Sequence, residues 1–179
     1  ANYAVTISDG TATAANINAI DADTLGTVTA TSVTSLSGTV SEVKTAVTSS
    51  GLSLSGSETI TVTGSGSAAD LNTINGSTSE LVTATSVTTI TSSAVSDMLT
   101  LISNRGTSGD KINLATNYAV TLSDGTLSAA NVKLVNADNG TGTINIASAT
   151  SISGTISDVL EIVNNTNSTL TTAANYAVT

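Results

Sequence analysis

The pentapeptide Asn2-Tyr3-Ala4-Val5-Thr6 returns as Asn117-Tyr118-Ala119-Val120-Thr121 and again as Asn175-Tyr176-Ala177-Val178-Thr179. Recurrence at a fixed phase confines a chain to architectures in which like segments occupy like places, above all stacks of repeated supersecondary units. In such a stack each unit buries its apolar face against its neighbours, so 179 residues need no single central core.

Between the pentapeptides the same local rhythm recurs. Val5-Thr6-Ile7-Ser8 is a short β-branched run closed by Asp9-Gly10, a strand followed by a turn. Residues 13–20 then carry apolar side chains three apart at Ala14, Ile17 and Ile20, which predicts one or two helical turns. Further helices are predicted with apolar rows Val40, Val43 and Val47; Ala68 to Ile74; Val95, Leu99 and Ile102; Ala129, Val132 and Val135; and Ile156, Val159 and Val163.

Hydroxyls stand where each helix should begin, with a polar residue three places on: Thr13 and Asn16, Thr39 and Glu42, Ser67 and Asp70, Ser128 and Asn131, Thr155 and Asp158. Thr39 with Glu42 is a capping box in the strict sense. The fourth unit departs, with Ser93 and Ser96, and is also the longest.

Taking Val5, Val33, Ile60, Val87, Val120, Ala149 and Val178 as equivalent gives units of 27 to 33 residues. Odd units resemble odd and even resemble even, so residues 1–59, 60–117 and 118–175 read as three repeat pairs. Residues 176–179 open a fourth, as though the chain were cut from a longer array. The expected fold is an α/β solenoid of about six stacked strand–turn–short helix–strand coils, with parallel β-ladders and an aliphatic spine. The register predicts Ile74, Leu99 and Val135 buried and Thr29, Thr61 and Thr83 exposed.

Composition agrees with close stacking. The chain is 39% hydrophobic yet 2% aromatic, with no Phe, Trp, His, Cys or Pro, so Val, Ile, Leu and Ala must build the interior. A formal charge of -9, with Lys44, Arg105, Lys111 and Lys133 as the cations, repels phosphate backbones and anionic lipid. Nucleic acid is not an expected partner, nor is membrane insertion, since no apolar run nears the roughly 18 residues a spanning helix needs. Without His there is no Ser/His/Asp hydrolase, and without Cys no thiol chemistry.

The segments "VTISDGTATAANINAID", "ITVTGSGSAADLNTING" and "TVTATSVTSLSGTVSEV" resemble the Ser/Thr/Ala/Asp-rich tandem repeats of very large bacterial surface proteins, especially those of marine cyanobacteria. The resemblance runs through the whole chain and implies an extracellular or cell-surface coat, adhesin or fibre. Its partners would be neighbouring repeats or like chains, end to end or laterally, and glycans.

Hard oxygen donors at Asp21, Asp23 and Asp138 follow predicted helices and are candidate calcium ligands, although Asp, Asn and Gly are also what turns demand. No other cofactor is expected. Thr27/Thr29, Thr61/Thr63 and Thr83/Thr85 invite an ice-binding reading, set against the plain β-propensity of Thr. The segment Ser103 to Lys111 is an insertion that either binds a ligand or is a solvated excursion. Asn75, Asn139, Asn164 and Asn167 begin N-glycosylation patterns. Glu42, Glu58, Glu80 and Glu161 are the carboxylates from which a glycosidase pair could be drawn, but no aromatic platform accompanies them. The expected role is structural and non-catalytic, with a ligand-binding solenoid for calcium, polysaccharide or ice as the alternative.

Overall fold

A computed structural model describes residues 2–164, 170–172 and 177–179. The chain is an α/β fold in which every resolved ladder is parallel. It forms two compact units, one of Ala1–Gly64, Asp70–Ser86 and Asn104–Leu114, the other of Ser65–Ala69, Val87–Ser103 and Ala115–Thr179.

In the first unit, β1 (Val5–Thr6), β3 (Val28–Thr29) and β5 (Leu52–Ser53) make one small sheet in that order. A second ladder joins β2 (Thr11–Thr13), β4 (Ser35–Thr39) and β6 (Thr59–Gly66). The first residues of β7 (Val82–Ser93) pair with β8 (Ile112–Leu114). Helix α1 (Ala14–Asp23) packs on α2 (Val40–Thr48), and α3 (Ala68–Asn75) follows β6.

In the second unit the end of β7 pairs with β9 (Ala119–Leu122), which pairs onward with β11 (Ile144–Ile146) and β13 (Leu170–Thr172). Strands β10 (Thr126–Ser128), β12 (Ser151–Ser153) and β14 (Ala177–Val178) form the other sheet. Helix α5 (Ala129–Asp138) lies against both α4 (Val95–Ser103) and α6 (Ile156–Val163).

The six helices fall where the sequence places them. Four of those described, α2 to α5, bury the whole row that starts at the first residue and runs i, i+3, i+6; in α1 the row ends on the half-buried Ile20, and in α6 it starts on the exposed Ile156. Ala68, Leu71 and Ile74 are fully buried, as are Ala129, Val132 and Val135. At 3.6 residues per turn this row winds roughly 120° around the helix.

Three sequence expectations are corrected by this row. Ala46 takes the place expected of Val47, Met98 and Leu101 those of Leu99 and Ile102, and Ile162 that of Val163. All three corrections fall on even-numbered helices, whose seventh and eighth positions are both apolar. Leu99 is half-buried rather than buried. Thr61 is exposed as expected, whereas Thr29 and Thr83 are half-buried between ladder neighbours.

The strand register also differs. Val5 pairs with Val28 and not Val33, which closes a turn by donating its N–H to Ala30 O. Ala149 closes the equivalent turn on Ile146 O. The ladder offset is 23 residues from Val5 to Val28, 26 from Ile144 to Leu170, and 30 from Ile90 to Val120 across the long fourth unit. The helix starts are 26 to 34 residues apart, close to the expected spacing of 27 to 33.

Capping explains part of the local structure. Thr13 Oγ1 accepts from Asn16 N at 3.3 Å, and Thr39 and Glu42 form the reciprocal capping box. Thr155 Oγ1 accepts from Asp158 N at 3.2 Å. Ser128 makes no such bond, against expectation. Two helices are capped from a different segment: Ser93 Oγ accepts from Ala68 N at the start of α3, and Asp124 Oδ2 accepts from Val95 N at the start of α4, at 2.9 and 2.8 Å.

Leu101 is fully buried and Leu134 is 55% exposed, one helix away. Leu101→Ala should cost about 2–5 kcal/mol and Leu134→Ala under about 0.5 kcal/mol, read from urea midpoints.

Candidate functional site

Two of the three candidate calcium ligands, Asp23 and Asp138, fall in two matching structural clusters. At the end of α1, Asp23 accepts a hydrogen bond from the Tyr3 hydroxyl, and the next residue, Thr24, donates its hydroxyl to Tyr3 O. At the end of α5, Asp138 Oδ2 accepts from Tyr118 OH at 2.8 Å, and the next residue, Asn139, donates Nδ2 to Tyr118 O at 3.4 Å. Each cluster ties the C-terminal end of a helix to the start of the strand about 20 residues earlier. Bonding to Asp23 pushes the Tyr3 phenol above its ordinary value, since proton loss would forfeit it.

A glycine completes each cluster. A side chain at Gly26 would meet the Tyr3 carbonyl, and one at Gly142 the Tyr118 carbonyl, so neither position admits a Cβ without displacing backbone. Asp21 lies elsewhere and accepts from Ser49 Oγ at 2.6 Å. Among the described residues no group of three or more acidic, Cys or His side chains could hold a metal ion. The Tyr–Asp pairing was open to sequence inspection, because both residues recur 115 places apart with the same interval of 20, but Asp was read only as a turn former or metal ligand.

The other carboxylates are held apart. Glu42 closes the capping box, and the Thr39 N–H it accepts holds its carboxyl below the usual range. Lys133 bridges to Asp158 at 2.7 Å and Glu161 at 2.8 Å, joining α5 to α6. Hydrogen bonding to Asp158 and then to Glu161 raises the Lys133 ammonium above its ordinary value. Lys133, and after it the Thr155 hydroxyl, lowers the Asp158 carboxyl. Lys44 pairs with Asp70 at 2.6 Å.

Glu58 was not foreseen as an interior residue. It is fully buried, takes a hydrogen bond from Ser55 Oγ at 2.8 Å on Oε2, and has no partner on Oε1. Its backbone O accepts from Thr78 Oγ1 at 2.7 Å, so Glu58 stands where Tyr3 and Tyr118 stand in the other clusters. No motif marks it; its one signal is that Glu58-Thr59-Ile60-Thr61 keeps the rhythm of Tyr118-Ala119-Val120-Thr121.

The insertion after α4 is part solvated and part folded back. Residues 107–110 are exposed, while Gly106 and Ile112 close the loop by donating to Ile112 O and Asn104 O. Asn104 and Asp110 line a polar cleft of about 450 Å³ with Asn75, Ser77 and Thr78. Asn75 donates Nδ2 to Asp110 O at 3.3 Å, and its buried Oδ1 has no partner.

Burial bears on the glycosylation patterns. Asn75 is 7% exposed and Asn139 fully buried, so neither amide stands out from the folded surface. The pattern at Asn167, most of that at Asn164, and Tyr176 lie outside the described residues. In the ladders Thr29 neighbours Thr6 and Ser53, Thr61 neighbours Ser37, and Thr83 neighbours Asn113; Ile60 donates its N–H to Leu81 O, which sets Thr61 beside Thr83 in the adjoining strands β6 and β7, while Thr29 belongs to another sheet.

No family model, curated protein or solved structure matches the chain. No helix among the described residues is long and apolar enough to cross a membrane.

Tyr118→Phe should destabilise by about 0.5–1.5 kcal/mol through loss of the hydroxyl's bond to Asp138, and Gly142→Ala by about 2 kcal/mol or more, both read by chemical denaturation. For Asp158 the folded value is the lower one. Its contribution is present above the ordinary carboxylate value and is lost as pH falls through the depressed one. For Lys133 the folded value is the higher one, so its contribution is lost as pH rises through that value. Lys133→Met should flatten both ends of the melting temperature against pH curve, measured by circular dichroism.

Proposed function

We propose that this chain is a structural repeat module of an extracellular surface fibre, sheath or adhesin stalk, acting without catalysis. In this reading its strand–strand–helix segments are coils of an α/β solenoid. The observation that carries it is the ladder register: strands pair with the equivalent strand one segment on, as Val5 with Val28 and Val28 with Leu52, or Val120 with Ile144 and Ile144 with Leu170. A chain that bonds each segment to the next extends by addition without changing its cross-section.

Other features support the same reading. The side chains that carry charge serve capping and inter-helix ties, as with Glu42 and Lys133. An acidic, hydroxyl-rich surface discourages side-by-side sticking of exposed strand edges. The resemblance of the repeats to those of giant bacterial surface proteins supports a place outside the cell. Calcium is not required in this reading.

The alternative is a ligand-binding solenoid, for calcium, polysaccharide or ice. One observation favours a sugar-like ligand: the cleft lined by Asn75, Ser77, Thr78, Ser79, Asn104 and Asp110 is rich in hydroxyl, amide and carboxylate groups.

Immunogold electron microscopy of producing cells, with antibody raised to this chain, should label surface fibres or sheath; cytoplasmic label would refute the module reading. Thermal melting should not respond to calcium, to chelator or to oligosaccharides. A ligand at a hundred times its Kd would add about 2.7 kcal/mol, enough to resolve, and such a shift would favour the alternative.

A further inference from the structure

Within the first unit the repeat replaces one of its tyrosine–aspartate pairs, and a cavity lies beside the replacements. Thr78 donates its hydroxyl to Glu58 O and takes the Glu80 N–H, as Thr24 donates to Tyr3 O and takes the Gly26 N–H. Glu58 therefore stands for Tyr3 and Tyr118, and Ser77, the residue before Thr78, stands for Asp23 and Asp138. Tyr118 is fully buried with its hydroxyl on Asp138, whereas Glu58 and Ser77 line a cavity of about 240 Å³. An apolar cavity of about 150 Å³ already admits benzene, so this space holds a small organic group.

One wall is aliphatic. Val47, Leu52 and Leu54 line it, and all three are half-buried. Val47 is the residue that α2 leaves out of its buried row in favour of Ala46.

The polar wall accepts hydrogen bonds and does not donate them. Ser77 Oγ gives its proton to Ile74 O at 2.7 Å, and Ser55 Oγ donates to Glu58 Oε2 at 2.8 Å. Lone pairs on Ser77 Oγ and on the Glu58 carboxylate are what these groups have left to offer. Glu58 gives the wall its sign: it is 0% exposed, its Oε1 has no hydrogen-bond partner, and among the described residues no Lys or Arg pairs with it. A carboxylate accepts up to about four hydrogen bonds, and a buried one is stable when a cation and donors meet it.

We infer that this cavity binds a primary ammonium group on a short aliphatic chain. The ammonium donates to Glu58 and to Ser77 Oγ, and the chain lies against Val47, Leu52 and Leu54. An anion would meet a carboxylate with no donor beside it, and a neutral hydroxyl would leave the carboxylate without a counter-charge. The cavity shares Gly56 and Ser77 with the polar cleft near Asn75 but takes a different ligand. A free diamine and a lysine side chain both carry the required group. The inference does not depend on the structural-module reading.

Amide chemical shifts of the 179-residue chain, followed by NMR during titration with n-butylammonium in about 0.15 M salt, test it. Saturable shifts are expected at Leu52, Leu54, Ser55 and Ser77, with a Kd of about 1–10 mM. Butyltrimethylammonium, charged but without N–H groups, and n-butanol, uncharged, should each bind at least about tenfold more weakly. Glu58→Gln keeps the shape, removes the charge and should weaken n-butylammonium by at least about tenfold. Glu58→Tyr with Ser77→Asp restores the pair of the other clusters and should abolish binding. Comparison of 1,4-diaminobutane with Nα-acetyl-lysine methylamide assigns the source, a free amine or a lysine side chain, to whichever binds more tightly. No saturation of the shifts by about 100 mM n-butylammonium overturns the inference. So does a preference below about tenfold over either comparison probe, a result that needs no variant to fold. Neither failure touches the immunogold test of the module reading.

Discussion

A backbone hydrogen bond such as Val120 N–H to Thr143 O, 2.8 Å long and joining one segment to the next, is the interaction on which the rest depends. The strands are mostly two to five residues long and the helices eight to ten, too short to stand alone. Between segments, each strand satisfies the polar backbone of its neighbour and each helix covers its neighbour's aliphatic row. Composition follows from that arrangement. Proline would break ladders, and large aromatics would force adjacent segments apart. Tyr118 is tolerated because its ring is fully buried while its hydroxyl reaches Asp138. Gly26 and Gly142 mark where one segment's backbone comes against a tyrosine carbonyl of the segment before.

The helices were legible in the sequence because three signals coincide at each: a strand, a hydroxyl or glycine turn, and apolar residues three apart. Two ambiguities hid the rest. Where the seventh and eighth helical residues are both apolar, as at Ala46-Val47 and Leu101-Ile102, periodicity alone cannot say which faces the sheet. In both helices the seventh is the buried one. Strand register was hidden because Val28 and Val33 are equally suited to pair with Val5, and it is the turn from Ala30 to Val33 that selects Val28.

The candidate site was less legible than the fold, for a physical reason. Asp23 and Asp138 look like metal ligands in sequence because oxygen donors cluster there. What fixes their role is a tyrosine 20 residues earlier, brought across only by folding. Glu58 illustrates the same limit: a carboxylate read only as one of four from which a glycosidase pair could be drawn is interior, at a tyrosine's place in the repeat. Leu99 and Ile102 of α4 and Val163 of α6 were read as core, but the first two are half-buried and the third is exposed.

If inter-segment bonding sets local stability, the same pentapeptide must differ in stability according to its neighbours. Val5 and Val120 share the sequence Asn-Tyr-Ala-Val-Thr and the same onward hydrogen bond, but Val120 also has a strand before it. Residue-resolved amide hydrogen exchange compares them directly. Val120 N–H should exchange on the order of a thousandfold more slowly than Val5 N–H, since a covered ladder opens only with much of the fold and an edge strand frays. Equal protection at the two positions would mean that the local sequence, and not the neighbouring segment, holds these strands, and would contradict the account.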